Sequence, residues 1–204
     1  MEKLNLYIVR HGQTEWNLEK RMQGQKDSPL TELGREQADK LRHSLENIKW
    51  DAIYSSSSQR ALTTANIIRS NQEIPIILRD ELQEMSFGDW EGKLLKDIAE
   101  SEPQKNEDFW MSPDLYVASS GEDFFDVEKR VTKEIKKIVE RHSAGNILLV
   151  THTVIVKLLM AYFEKRPLEA LWNPPYIQPT ALCRVEIENE QVNILLHGDT
   201  SHLS

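Results

Sequence analysis

The run Leu4-Asn5-Leu6-Tyr7-Ile8-Val9, closed by Arg10-His11-Gly12, constrains this chain more than any other stretch. All of its residues but Asn5 are apolar, and Tyr7, Ile8 and Val9 favour extended backbone. An almost continuous apolar run this short predicts a strand buried on both faces, in the middle of a parallel sheet. The strand ends in a fixed cation and an imidazole, at the carboxyl edge where such sheets place their ligands. Gly12 is expected to let the backbone turn sharply there. Thr14 and Asn17 offer short polar side chains from the loop or helix start that follows.

Arg10 beside His11 points to an anion. A guanidinium fork matches phosphate oxygens and cannot lose its charge. A neutral imidazole next to it can attack phosphorus. The competing reading of the bare pair is a buried Arg–carboxylate contact with a capping histidine. The net charge of −8 argues against a nucleic-acid or anionic-membrane partner, and it means that an anionic substrate must be held by local cations. Cys183 is the single cysteine, which excludes an internal disulfide and fits a reducing, cytoplasmic compartment. Lys157 interrupts the most apolar candidate for a membrane span, and Arg10 closes the N-terminal apolar run too early for a signal peptide.

Further along, strand and helix patterns alternate. Thr31 is an expected N-cap for a helix with apolar positions Leu33, Ala38, Leu41 and Leu45. A short β-like run at 52–55 leads through four serines, Ser55 to Ser58, which can cap a helix over 59–70. Residues 75–78 are a further strand candidate. The stretch 82–92 is an aromatic-rich connector, and 93–120 reads as helical pieces and loops. The amphipathic helix 125–142 carries Val127, Val131, Ile135 and Ile138 on one face, with Gly145-Asn146 expected to end it. A second buried strand over 147–151 ends at His152 and runs into an apolar helix over 154–163. Segments 181–187 and 192–196 alternate as a final hairpin. This pattern predicts one domain over 1–204, a three-layer α/β/α fold with a mostly parallel sheet and helices on both faces.

Two predicted strands therefore end in histidine, His11 and His152, and a parallel sheet can bring them together. The helix N-terminus after His152, with the Thr153 amide first, also attracts anions. Arg60 opens a helix, where a cation opposes the dipole and a bound phosphate would compensate. The competing reading of Arg60 is a surface salt bridge, and that of His152 a satisfied core histidine. Glu84 lies near Phe87 and Trp90; a carboxyl in such surroundings keeps its proton more readily, as a general acid must. Glu81 and Glu91 are rivals for that role. No phosphate-loop or dinucleotide motif is present, and no tight His/Asp/Glu spacing suggests a metal site.

The pattern Arg10-His11-Gly12-x-Thr14-x-x-Asn17 resembles the signature of the histidine phosphatase, or phosphoglycerate mutase-like, superfamily. The likeness extends through Leu30-Thr31-Glu32-Leu33-Gly34, Arg60-Ala61-x-x-Thr64-Ala65, Glu84-x-x-x-Gly88-x-Trp90-Glu91-Gly92 and the strand ending at His152. Stretches Phe109-Trp110, Leu115-Tyr116 and Trp172-x-Pro174-Pro175-Tyr176 are similar to small broad-specificity phosphatases of bacilli. The resemblance implies His11 as phosphorylated nucleophile and Glu84 as proton donor. It implies a phosphate pocket of Arg10, Asn17, Arg60 and His152, with Gln23 and Gly24 on a substrate loop. Two departures stand out. Thr153 replaces a frequent glycine, where its side chain could crowd the phosphate or add a hydroxyl donor, and Ser57-Ser58 replace an Asp-Leu pair.

The expected activity is hydrolysis of a small phosphomonoester through a phosphohistidine, with no cofactor and no metal. Phe109, Trp110 and Tyr116 suggest apolar walls and a partly apolar leaving group. The alternatives are a phosphoglycerate mutase-type phosphotransferase, a specialised phosphatase for a nucleotide-like or cobalamin-pathway ester, and a catalytically silent phospho-ligand binder.

Overall fold

The computed structural model describes residues 3–204. The first predicted strand, β1 (Leu4–Arg10), lies between β4 (Gly145–Thr151), parallel to it, and β5 (Leu182–Glu188), antiparallel to it. Beyond β4 come β2 (Ala52–Ser56) and β3 (Ile76–Arg79), both parallel, and beyond β5 comes the antiparallel β6 (Gln191–Asp199). The six-stranded order is β3-β2-β4-β1-β5-β6.

Side-chain alternation decides the layers. Leu6 and Ile8, with Ile147 and Leu149, face one core; Tyr7 and Val9, with Leu148 and Val150, face the other. The first core is covered by α6 (Phe124–Arg141) and α7 (Thr153–Glu164), the second by α2 (Glu32–Ser44) and α3 (Gln59–Arg69). Helices thus lie on both faces of a mostly parallel sheet, as the alternating pattern predicts. No helix among the described residues is long and apolar enough to cross a membrane.

Local details depart from the pattern in three places. Leu33 is 49% exposed, and Gly34 takes the inward position on α2 instead. Gly12 and Gly34 are needed for contact rather than for a turn: a Cβ on Gly12 would lie 2.3 Å from the Gly34 carbonyl oxygen, and one on Gly34 would lie 2.0 Å from that of Gln13. This close approach seats α2 against the loop after β1. Gly145 and Asn146 do not end α6, which is capped at His142; they open β4, where the Gly145 amide donates to the Lys3 carbonyl.

Shorter helices build one side of the sheet edge: α1 (Glu15–Leu18), α4 (Leu95–Ser101) and α5 (Pro103–Met111). On α5, Phe109 is the hub of an aromatic cluster. The rings of Phe87, Trp90, Trp110, Tyr116, Phe124 and Trp172 lie 4.8 to 5.9 Å from it, centroid to centroid.

Candidate active site

The pairing of Arg10 with Thr151 brings the carboxyl ends of β1 and β4 level, so His11 and His152 meet with ring centroids 5.1 Å apart. His11 is buried, and its Nδ1 lies 2.7 Å from the Gly12 carbonyl oxygen. A carbonyl only accepts, so Nδ1 carries the proton and Nε2 carries the lone pair. The Arg60 Nε donates to that Nε2 at 3.3 Å. Burial, then the charges of Arg60 and Arg10, hold the His11 pKa well below the usual 6.5. The ring is a neutral imidazole with its basic nitrogen presented beside a cation.

Arg60 opens α3 but is not a surface cation. It is only 2% exposed. Its guanidinium donates to the Gly24 carbonyl at 2.6 Å, the Lys26 carbonyl at 2.8 Å and the Asp27 carboxylate at 2.9 Å. The same side chain therefore faces the site and ties down the 24–27 loop.

His152 is fully buried. Its Nε2 lies 2.8 Å from the Ser56 hydroxyl and 3.2 Å from that of Ser58, and its Nδ1 has no hydrogen-bond partner. The serines expected to cap α3 do something else: Ser58 sits at the cap position without a side-chain cap bond, and its hydroxyl and that of Ser56 orient the histidine.

Glu84 is the carboxyl that reaches the site. It is buried, and its oxygens accept from the Met85 amide at 3.0 Å and the Val154 amide at 3.3 Å. The first turn of α7 thus already engages the Glu84 carboxyl. Burial raises the Glu84 pKa against those hydrogen bonds and the charges of Arg60 and Arg10. The rivals point elsewhere. Glu91 accepts from the backbone amides of Gln25, Lys26 and Phe87, and the half-exposed Glu81 faces Lys137. Arg10 donates to the Ile177 carbonyl at 2.7 Å, and burial lowers its pKa to about 10.

These groups open on one cleft of about 620 Å³. It is lined by Arg10, His11, Asn17, Gln23, Gly24, Arg60, Glu84 and Thr153, while His152 packs behind His11. Asn17 closes a capping box with Thr14, its side-chain oxygen accepting from the Thr14 amide. The Gln23 amide is spent within its loop, accepting from Thr14 and donating to Ser28. Thr153 is the first residue of α7. Phe87, Phe109, Trp110, Trp172 and Tyr176 form apolar walls, but Tyr116 lies behind Phe109 and does not line the cleft. Sequence reasoning missed Asp27, the partner of Arg60, and Lys157, a buried cation on the cleft wall. A charged residue inside the apolar run of α7 was the available signal for Lys157. Among the described residues, no three His, Cys, Asp or Glu side chains gather to hold a metal ion.

The chain matches the model of the histidine phosphatase superfamily (branch 1) over residues 6–200. It is 33% identical to the adenosylcobalamin/alpha-ribazole phosphatase of Escherichia coli (strain K12), over 83% of this chain and 84% of that one. Its structure superposes on Bacillus stearothermophilus YhfR with a TM-score of 0.95 and 44% identity, covering 98% and 100% of the two chains. A phosphoglycerate mutase from Bacillus anthracis str. Sterne superposes with a TM-score of 0.88 and 26% identity, covering 99% and 96%. The fold is phosphoglycerate mutase-like, and this chain belongs to the histidine phosphatase superfamily as one of its phosphatases.

Proposed function

We propose that this protein is a cytoplasmic, metal-independent phosphomonoesterase that acts through a phosphohistidine at His11 and accepts a range of partly apolar leaving groups. The observation that carries this reading is the pairing, in one cleft, of a neutral His11 with its Nε2 beside Arg60 and a buried Glu84 whose pKa burial raises.

In the first step the Nε2 lone pair attacks phosphorus in line. The N–P bond forms, the ester P–O bond breaks, and the Glu84 proton goes to the departing oxygen. The Gly12 carbonyl supports the positive ring through Nδ1–H. In the second step water attacks phosphorus and gives its proton to the Glu84 carboxylate. The N–P bond breaks, and inorganic phosphate leaves a neutral His11. Arg10 and Arg60 are the donors for the equatorial oxygens, where charge gathers in the transition state, and His152, whose Nδ1 has no partner, backs His11. Those fixed cations supply the charge that a metal supplies in other phosphatases. The aromatic walls favour apolar alcohols.

The test is a turnover screen over alkyl and aryl phosphomonoesters, in excess chelator, with and without a bisphosphoglycerate primer. Rapid quench should trap an acid-labile, base-stable phosphoprotein that His11→Ala does not form. Near-parental turnover by His11→Ala, or activity lost to chelator and restored by a metal, would overturn the proposal.

A further inference from the structure

Helix α7 is apolar and almost wholly buried, yet Lys157 sits in its middle at 2% exposure. A buried ammonium is costly unless its protons are satisfied. Lys157 Nζ donates to the Asn173 carbonyl at 2.5 Å and the Pro175 carbonyl at 2.9 Å. Two residues on, the Ile177 carbonyl accepts from Arg10. The carbonyls of residues 173, 175 and 177 therefore all meet cations that line the cleft. Tyr176 between them is 85% exposed and lines the cleft mouth, and Trp172 donates its ring N–H to the Phe109 carbonyl. Residues 173–177 belong to no helix or strand, so these bonds, not a ladder, set their path.

We infer that Lys157 is a positioning residue of the active site: it pins the 173–177 strap, and the strap in turn fixes the Arg10 guanidinium and the Tyr176 side of the cleft. The inference rests on the reading of this cleft as the phosphoryl-transfer site. Misplacing a phosphate-binding group by a fraction of an ångström is enough to slow such chemistry without unfolding the protein.

The charged and titratable groups around Lys157 are Glu164 and Arg166 at the end of α7, Cys183 on β5, His197 on β6, and Glu169, which also lines the cleft. Burial, with Arg166 adding to it, lowers the Lys157 pKa to about 8. Above that pH the two carbonyl bonds lose their charge assistance. The sign for stability is opposite. The unfolded side chain titrates near 10.5, so between about 8 and that value the unfolded chain binds more protons, and this group makes the fold more stable as pH rises. Activity and stability should therefore part company on the alkaline side, which a purely structural lysine would not cause.

The experiment uses Lys157→Arg and Lys157→Met in the full chain. It follows kcat/KM for p-nitrophenyl phosphate from about pH 6 to about pH 10, with thermal melting alongside. Arginine keeps its charge throughout. The ratio of Lys157→Arg to parent kcat/KM should rise with pH through about 8, while the parent's melting temperature does not fall there. Lys157→Met should lose about tenfold in kcat/KM at pH 7. A flat Lys157→Arg ratio across that range overturns the inference, as does a folded Lys157→Met with parental kinetics. Should Lys157→Met fail to fold, the ratio alone decides. His11→Ala separates the two readings. If it keeps turnover, the assignment of the site fails; if it is inactive and the ratio is flat, only the role of Lys157 fails.

Discussion

Arg60 reaches His11 with its Nε, 3.3 Å from Nε2, while the rest of its fork holds the Gly24 and Lys26 carbonyls and the Asp27 carboxylate. One side chain thus joins the His11 imidazole to the loop over it. Arg60→Ala should cost about 10²–10³ in rate, the scale of losing one preorganised charge-stabilising donor. It should also cost roughly 2–4 kcal/mol in stability, because it strands the buried Gly24 carbonyl, the part-buried Lys26 carbonyl and a partly buried carboxylate. Lysine cannot reproduce the fork, so Arg60→Lys should recover little of either loss. Steady-state kinetics and urea unfolding measure both; parental stability in Arg60→Ala would show that the loop is held without it.

For Glu84, the leaving group is the probe. Glu84→Gln keeps the shape and removes the proton, so it should slow the first turnover of an alkyl phosphate by about 10²–10⁴. p-Nitrophenyl phosphate has a good leaving group and needs little protonation, so its burst should be affected far less. Water attack is slowed in both cases, which is why the burst and not the steady state is compared. Equal losses in the burst would remove Glu84 as the proton donor.

The buried histidines predict acid sensitivity. Burial is the first cause that holds both His11 and His152 well below 6.5, with Arg60 next. As pH falls below 6.5 the unfolded chain takes up protons that the folded chain refuses, so stability falls. Each histidine contributes a slope of up to about 1.4 kcal/mol per pH unit. Glu84, shifted upward, opposes this over the window between its unfolded value of 4.5 and its folded one. Urea unfolding from pH 7.5 downward measures the slope, and His152→Gln should flatten it. An unchanged slope in that variant would place the acid sensitivity elsewhere.

Phe109 couples the cleft wall to the core. Phe109→Ala empties the centre of six rings and should cost about 3–5 kcal/mol. Because Trp110 and Trp172 lose their common neighbour, KM for aryl phosphates should rise more than KM for alkyl phosphates. A parallel rise for both classes would mean that the wall does not contact the leaving group.

The sequence made β1, β4 and α6 legible because burial on two faces, or on one helical stripe, leaves a direct pattern in residue order. The meeting of His11 with His152 followed from two strand ends of one parallel sheet. What stayed hidden was set by partners far along the chain. Gly145 looked like a helix stop because its strand role depends on Lys3. The serines before Arg60 looked like caps because their bond to His152 spans almost a hundred residues. Glu84 could not be told from Glu81 or Glu91 by composition, since only tertiary packing buries one and hands another to the loop amides. The roles of the 173–177 carbonyls had no sequence signal, because backbone oxygens carry no residue identity, and nothing in residue order singled out Asp27 among the acidic residues, because its partner Arg60 lies 33 positions away.

The position of β1 has a consequence for synthesis. The strand that leads into His11 precedes both of its neighbours in the chain, which come from residues 145–151 and 182–188. The amide of Arg10 bonds to the Ala181 carbonyl, and the Arg10 and His11 carbonyls both accept from the Thr180 amide. A nascent chain halfway out of the ribosome holds the Arg10-His11-Gly12 segment with neither flanking strand. Such long-range pairing is slow and leaves apolar strand edges open while it waits. The cleft is therefore incomplete until nearly all of these residues have emerged, and until then the half-made chain leaves the apolar run of β1 without its two flanking strands.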